Sequence, residues 1–164
     1  MSKPSPVSPS PVLHDTTLHV RDHCLCLNAQ RAARALARHF DEAFRPLGLT
    51  SGQFSLMMAL NRPKPPSLGP VAALLAMDRT TLSAALKPLV RRALVTVEDD
   101  PSDRRSRLLR LTAQGRDVLA RATPVWQATH AAIDRALAGA PGGELSKGLR
   151  AVVDTLADAA NPPA

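Results

Sequence analysis

Aromatic residues are scarce in this sequence: there is no tyrosine, one tryptophan (Trp126) and three phenylalanines (Phe40, Phe44 and Phe54). Proteins that grip single-stranded nucleic acid stack bases on rows of aromatic platforms, so that mode of binding is excluded. Cysteine is limited to Cys24 and Cys26, too few for a disulfide framework, and the expected compartment is the reducing cytoplasm. The longest apolar runs, such as Val71–Met77, are far too short to cross a bilayer, so no membrane partner is expected. Lys3 is followed by proline and serine rather than by an apolar stretch, and no signal peptide is expected. A glycine-rich phosphate loop, a nucleophile elbow and an HExxH pair are all missing, which leaves an enzyme reading without residues and gives no cofactor.

What is present is arginine. The 164 residues carry a formal charge of +7, and only Lys3, Lys64, Lys87 and Lys147 among the basic residues are lysines. A planar guanidinium binds phosphates and guanine edges bidentately and stays charged, so the balance points to duplex DNA or an acidic surface. Hydrophobic residues at 45% and charged residues at 21% describe an ordinary globular chain, long enough for one domain with a dimerisation extension.

Periodicity orders the elements. Residues 1–12 alternate proline with serine and valine and read as a disordered tail. A first helix is predicted from Leu18 to Phe44, with Ala29, Ala32, Leu36, Phe40 and Phe44 on one stripe and Arg31, Arg34 and Arg38 on another. That arginine stripe reads as a solvated face. Thr50 with Gln53 forms a capping box for a helix to Asn61, Ser67 can cap a short helix, and Asp78 can cap a third. Pro88 should kink that third helix and Pro124 a later one. Leu94–Glu98 and Arg107–Leu111 read as strands joined through an acidic turn, Asp99–Asp103. Thr112 then caps a long helix to Ala138, Pro141-Gly142-Gly143 marks a loop, and a last helix runs from Leu145 to Ala159. Asn161-Pro162-Pro163 ends the chain.

Two short helices, a tight turn and a hairpin with an arginine-rich tip describe a winged helix-turn-helix whose second helix reads DNA. The class is mainly α (α+β). The apolar stripes of the long terminal helices exceed what this module can cover and most simply pack against a second copy of the chain. The layout is a tail over 1–12, an N-terminal dimerisation helix over 13–47, the DNA-binding domain over 48–112 and C-terminal dimerisation helices over 113–164.

The DNA-contact candidates are Arg79, Thr80, Thr81, Ser83 and Lys87 on the reading helix and Asp103, Arg104 and Arg105 at the hairpin tip. Asp103 can accept from one of the two neighbouring guanidinium groups and hold it extended toward a narrow minor groove. The wider footprint adds Arg91, Arg92, Arg107 and Arg110, partly opposed by Glu98, Asp99, Asp100 and Asp103. Phe40, Phe44, Met57, Met58, Trp126 and His130 are candidates for an apolar effector pocket. His130 and Asp134 make an i, i+4 salt bridge. On a continuous helix, His19, His23 and Cys26 would share one face, a spacing that suits zinc or another soft metal. Cys24 and Cys26 would there point nearly opposite ways, so an intramolecular disulfide is not expected, and both thiols read as small hydrophobes buried at the dimer interface.

Asp78-Arg79-Thr80-Thr81-Leu82-Ser83, Leu89–Val95, Asp100-Pro101-Ser102-Asp103-Arg104-Arg105 and Leu111-Thr112-Ala113-Gln114-Gly115 together resemble the MarR family of bacterial transcription regulators. The resemblance covers residues 20–160. It implies a homodimer whose two winged helices each read half of a pseudo-palindrome, and repression relieved by a small molecule or by cysteine oxidation. It also implies that Asp103 orients the wing, Arg105 inserts and Arg104 touches phosphate. An alternative within the same fold is a redox- or metal-responsive regulator using Cys24 and Cys26 with His19 and His23. Four positions depart from the family pattern. Ala93 stands where glycine is usual and fits only if its backbone stays out of the left-handed region. Val97 and Glu98 replace basic residues, and Pro88 replaces a polar helix former.

Overall fold

The computed structural model describes residues 11–137 and 142–160, with the side chains of Arg104 and of residues 157–160 outside that description. The expected tail therefore lies outside the described residues except for exposed Pro11 and Val12, and so do Pro141 and Asn161-Pro162-Pro163. The chain divides into two compact units, residues 1–38 and 39–164.

In the first unit, the single helix expected from Leu18 is two. Helix α1 (His14–His23) stops at Cys24, whose backbone is extended at φ −70° and ψ 108°, and α2 (Leu25–Phe44) starts directly after it. The Cys24 thiol accepts from the Leu27 amide at 3.4 Å, filling the role that a serine or aspartate oxygen plays at a helix start. Ala29 and Ala32, on the apolar stripe of α2, are exposed.

The second unit holds the core. A 3-10 turn at Arg45–Leu47 ends on Gly48, which takes the left-handed φ of 63°. Helix α3 (Ser51–Leu60) opens with the expected reciprocal box between Thr50 and Gln53. Ser67 precedes α4 (Leu68–Leu74) but makes no side-chain cap bond. Asp78 caps α5 (Arg79–Arg91), which continues as helix through Pro88. Strands β1 (Val95–Asp100) and β2 (Asp103–Leu111) are longer than expected and pair antiparallel, Val95 opposite Leu111 and Asp99 opposite Arg107. Their turn shrinks to Pro101-Ser102, where Asp100 accepts from both the amide and the hydroxyl of Ser102. Helix α6 (Ala113–Ala136) is likewise helical through Pro124, and α7 (Gly142–Ala160) begins inside the expected loop. The Gly142 amide donates to Asp134, which also meets His130 at 3.3 Å as expected.

Leu82, Leu86 and Leu89 repeat at helical spacing and turn one face of α5 into the core, against Leu94, Leu109 and Leu56. Val118, Leu119 and Ala122 of α6 close it. By contrast Leu145, Leu149, Val152, Val153 and Leu156 make an apolar face on α7 that is about half exposed at every position (45–64%).

The end of α5 corrects an expectation. Ala93 sits in the left-handed region at φ 53°, and the Leu94 amide reaches back to the Leu89 carbonyl at 2.9 Å, closing the helix as a Schellman turn without glycine. Thr112 fastens the far side: its amide donates to the Leu94 carbonyl (3.1 Å), its hydroxyl donates to the Ala93 carbonyl (2.7 Å), and that hydroxyl also accepts from the Gly115 amide (2.9 Å). Gly115 lies so close to Leu94 that a Cβ there would overlap the carbonyl oxygen. Two outcomes are expected in denaturant unfolding. Ala93→Gly stabilises by about 1 kcal/mol, the left-handed penalty of ~1–2 kcal/mol less the extra chain entropy of glycine. Gly115→Ala destabilises by at least ~2 kcal/mol, because the obstructing atoms are backbone and cannot swing aside.

Candidate nucleic-acid interface

Helix α5 presents the face opposite its leucines. Thr80, Ser83 and Lys87 share it with Arg91, with Arg79 and Thr81 at its borders, and all six side chains are exposed. Asp78 anchors the start: one carboxylate oxygen accepts from the Thr81 amide at 2.8 Å and the other from the Thr81 hydroxyl at 2.6 Å. The hydroxyl and then the amide hold the Asp78 carboxyl below the usual carboxylate range. The Ser83 hydroxyl donates to the Arg79 carbonyl at 2.7 Å. Both hydroxyl protons are thus spent within the helix, so Thr81 and Ser83 face outward as acceptors, suited to the amino groups of adenine or cytosine.

A groove of about 510 Å³ runs between α5 and the hairpin. Leu86, Pro88, Val97 and Leu109 give it apolar walls, and Lys87 and Arg91 bring charge to it. Val97, half-exposed at 42%, stands where a basic residue would have lined the wing.

At the hairpin tip, Asp103 accepts from the Arg105 backbone amide at 2.9 Å. This bond shapes the main chain under Arg105, whose side chain is exposed. The side chain of Arg104 lies outside the described residues. Two other arginines of β2 are occupied. Arg107 pairs with Asp99 across the strands, and Arg110 meets Glu98 at 3.5 Å, with Glu98 also accepting from Thr96. Arg92 is turned elsewhere, toward the carbonyls of Leu47 and Gly48. The basic footprint is therefore smaller than the sequence suggested. Arg91 was placed in it only by proximity, and its helical spacing from Lys87 is the signal that assigns it to the reading face.

The other candidate sites are rearranged. Phe44 and Met57 are 0% exposed and belong to the core, which leaves Phe40, Met58, Trp126 and His130 for any surface pocket. Phe54, itself buried in the core, links Phe44 to Trp126 in a series of rings: centroids run Phe40–Phe44 at 6.1 Å, Phe44–Phe54 at 4.8 Å, Phe54–Trp126 at 6.4 Å and Trp126–His130 at 5.1 Å. In the first unit, His19 and His23 stack at 4.3 Å, with His23 Nδ1 against the His19 carbonyl. The break at Cys24 puts Cys26 on the next helix, where Gln30 donates to its sulfur, and removes the shared face assumed for the three. Among the described residues no group of three or more His, Cys, Asp or Glu is arranged to hold a metal ion. The same break overturns the angular argument against a Cys24–Cys26 pairing, since Cys24 is not helical; within one chain Cys24 is half-buried and Cys26 exposed. No helix among the described residues is long and apolar enough to cross a membrane.

Helix, turn, reading helix and two-stranded wing define a winged helix-turn-helix protein, mainly α with one small antiparallel sheet. Residues 47–106 match the model of the MarR family. The chain is 30% identical to the M. tuberculosis transcriptional regulator MosR, solved in complex with DNA, covering 85% of this chain and 99% of that one at a TM-score of 0.75. The chain belongs to the MarR family. Among curated proteins it is 34% identical over 91 residues to the transcriptional activatory protein BadR of Rhodopseudomonas palustris, a match covering 54% of this chain and 52% of that protein. It is 38% identical over 79 residues to the transcriptional regulator HosA of Escherichia coli O111:H-, covering 47% and 57%. The matched stretch thus spans little more than half of each curated relative. These relatives are transcriptional regulators, not enzymes.

The Asp78 cap has a pH signature. A carboxyl held below its ordinary range stabilises the fold above that range and loses the contribution as pH falls through the folded value. Asp78→Ala is expected to lower the melting temperature at pH 7, with the difference from the parent shrinking toward zero by about pH 2. An equal difference at both pH values would disprove the cap's role.

Proposed function

We propose that the chain is a MarR-type transcription regulator that binds a pseudo-palindromic duplex operator as a homodimer and acts as a repressor released by a small-molecule effector. The observation that carries the DNA reading is the exposed Thr80–Ser83–Lys87–Arg91 face of α5 beside a wing whose main chain is shaped under Arg105. Arg79, Thr80, Thr81, Ser83 and Lys87 supply base-edge and phosphate contacts, and Arg105 enters the minor groove with Arg104 on the adjacent phosphate. The DNA complex of MosR supports this assignment by similarity. An activator named among the relatives leaves the direction of control to the position of the operator relative to the promoter.

The homodimer rests on α7. Its half-exposed Leu145, Leu149, Val152, Val153 and Leu156 form the kind of continuous apolar face that a soluble chain covers. We propose the effector site around Phe40, Met58, Trp126 and His130, the candidates that are not fully buried, where the Trp126 and His130 rings 5.1 Å apart pair an apolar surface with a polar one.

Two measurements test the reading. A duplex selected from a random pool should contain half-sites about one helical turn apart. A dimer making ~8 phosphate contacts then gives a log–log salt slope near −7 in fluorescence anisotropy. Arg105→Ala should weaken binding at least about ten-fold without moving the melting temperature; equal affinity for selected and scrambled duplexes would overturn the reading. Leu149→Glu should convert the sedimenting species from dimer to monomer, and an unchanged dimer would remove α7 from the interface.

A further inference from the structure

Arg92 follows the last residue of α5 and belongs by charge and position to the basic stretch Arg91-Arg92. Its geometry separates it from its neighbour. One residue along a helix turns the side chain by roughly 100°, which carries Arg92 off the Lys87–Arg91 face. Its guanidinium instead reaches back 44 residues: Nη1 donates to the Gly48 carbonyl and Nη2 to the Leu47 carbonyl at 3.4 Å. Those carbonyls end the 3-10 turn Arg45–Leu47, where unpaired oxygens concentrate negative partial charge and a cation is favoured. Gly48 supplies the backbone turn at which these carbonyls are presented. It is left-handed at φ 63°, and the place where a Cβ would stand is 3.4 Å from the Arg92 guanidinium.

The two ends of α5 are therefore held differently. Asp78 caps the start with bonds local to the helix, which stabilise it without orienting it. Arg92 ties the other end to a separate element, and a planar fork on two successive carbonyls resists both rotation and tilt.

We propose that Arg92 is a positioning residue for DNA reading: by clasping the Leu47 and Gly48 carbonyls it sets the rotation and pitch at which α5 meets the major groove, and it contributes no phosphate contact. This rests on the DNA-binding reading above. It assigns to a buttress a charge that composition alone counts toward the DNA footprint.

The test uses the full chain, a duplex selected from a random pool by the parent protein, and a scrambled duplex of the same composition. Loss of a phosphate contact weakens binding to all sequences alike and reduces the salt slope by about 0.9. Loss of a positioning contact spares that uniform component. Arg92→Ala is expected to lose at least about ten-fold on the selected duplex while keeping the parent's salt slope and its affinity for the scrambled duplex. Arg92→Lys, which keeps the charge without the planar fork, should fall between the two proteins with the same slope. Stoichiometric titration gives the active fraction, so a partly unfolded preparation is not read as weak binding, and Arg92→Lys carries the comparison if the alanine protein fails to fold. Parallel losses on both duplexes with a reduced slope would make Arg92 a phosphate contact and overturn the proposal. Parent-like binding by Arg92→Ala, or full recovery by Arg92→Lys after a slope change in Arg92→Ala, would overturn it as well. Failure of the parent protein to discriminate the two duplexes is visible without any substitution; it would defeat the DNA reading itself, and this inference with it.

Discussion

The left-handed turn at Ala93 is the constraint on which the DNA-reading unit depends. Three consecutive residues at the end of α5 tie it to two other parts of the unit, the 3-10 turn and the start of α6. Arg92 reaches the 3-10 turn through Leu47 and Gly48, Ala93 receives the Thr112 hydroxyl, and Leu94 receives the Thr112 amide while packing against Gly115. Without the reversal at Ala93, Leu94 and Val95 could not drop into the core as β1 begins, and the hairpin would have no fixed departure angle. Alanine in this conformation costs ~1–2 kcal/mol relative to an unstrained backbone. The bonds converging on the turn offset that cost, each contributing on the order of 1 kcal/mol. Strain of this size persists only where the surroundings over-determine the backbone, and here a core leucine, a threonine clasp and a glycine contact do so together.

The same junction explains why Leu111-Thr112-Ala113-Gln114-Gly115 is informative as a motif. Thr112 does two tasks with one side chain: its oxygen caps α6 through the Gly115 amide, and its proton ties that cap to the end of α5. Serine offers the same oxygen and proton, but nothing other than glycine fits at 115, because the next backbone is already in contact. A helix cap and a strand exit are thereby one structure. The departure of the wing from the reading helix is fixed there, with Leu109 and Leu111 of β2 packed into the same core.

What could be read from the sequence was local. The caps at Thr50, Asp78 and Thr112 and the hairpin with its place after α5 depend on residues within a few positions of one another, and the structure has them as expected. The features that escaped depend on geometry or on distant partners. Nothing in the run around Cys24 advertises a thiol accepting a backbone amide, so α1 and α2 read as one helix. Ala93 lacks the glycine that would have marked a left-handed residue, and the same is true of Ala76 before α5. The identity of a carboxylate's partner was beyond reach as well. Asp103 accepts the Arg105 amide across the short Pro101-Ser102 turn, a main-chain contact that the residue types alone do not announce.

The distribution of charge bears on how such a protein would tell its site from other DNA. A net +7 spread evenly would favour any duplex, since phosphate attraction is blind to sequence. Here Arg107 and Arg110 are matched by Asp99 and Glu98 on the facing strand, and Arg92 is withdrawn to a carbonyl pair. Within α5 and the hairpin, the described cations left without a carboxylate or carbonyl partner are Arg79, Lys87 and Arg91 on α5 and Arg105 at the tip of the wing, with an apolar groove beside α5 where Val97 replaces a cation. Removing cations from the ground between two contact points lowers the uniform attraction while leaving the directed contacts intact. Discrimination grows with that ratio, and total affinity need not. On this view the acidic residues of β1 act for specificity rather than against binding, and a reading helix held at a fixed angle is what makes the remaining contacts selective.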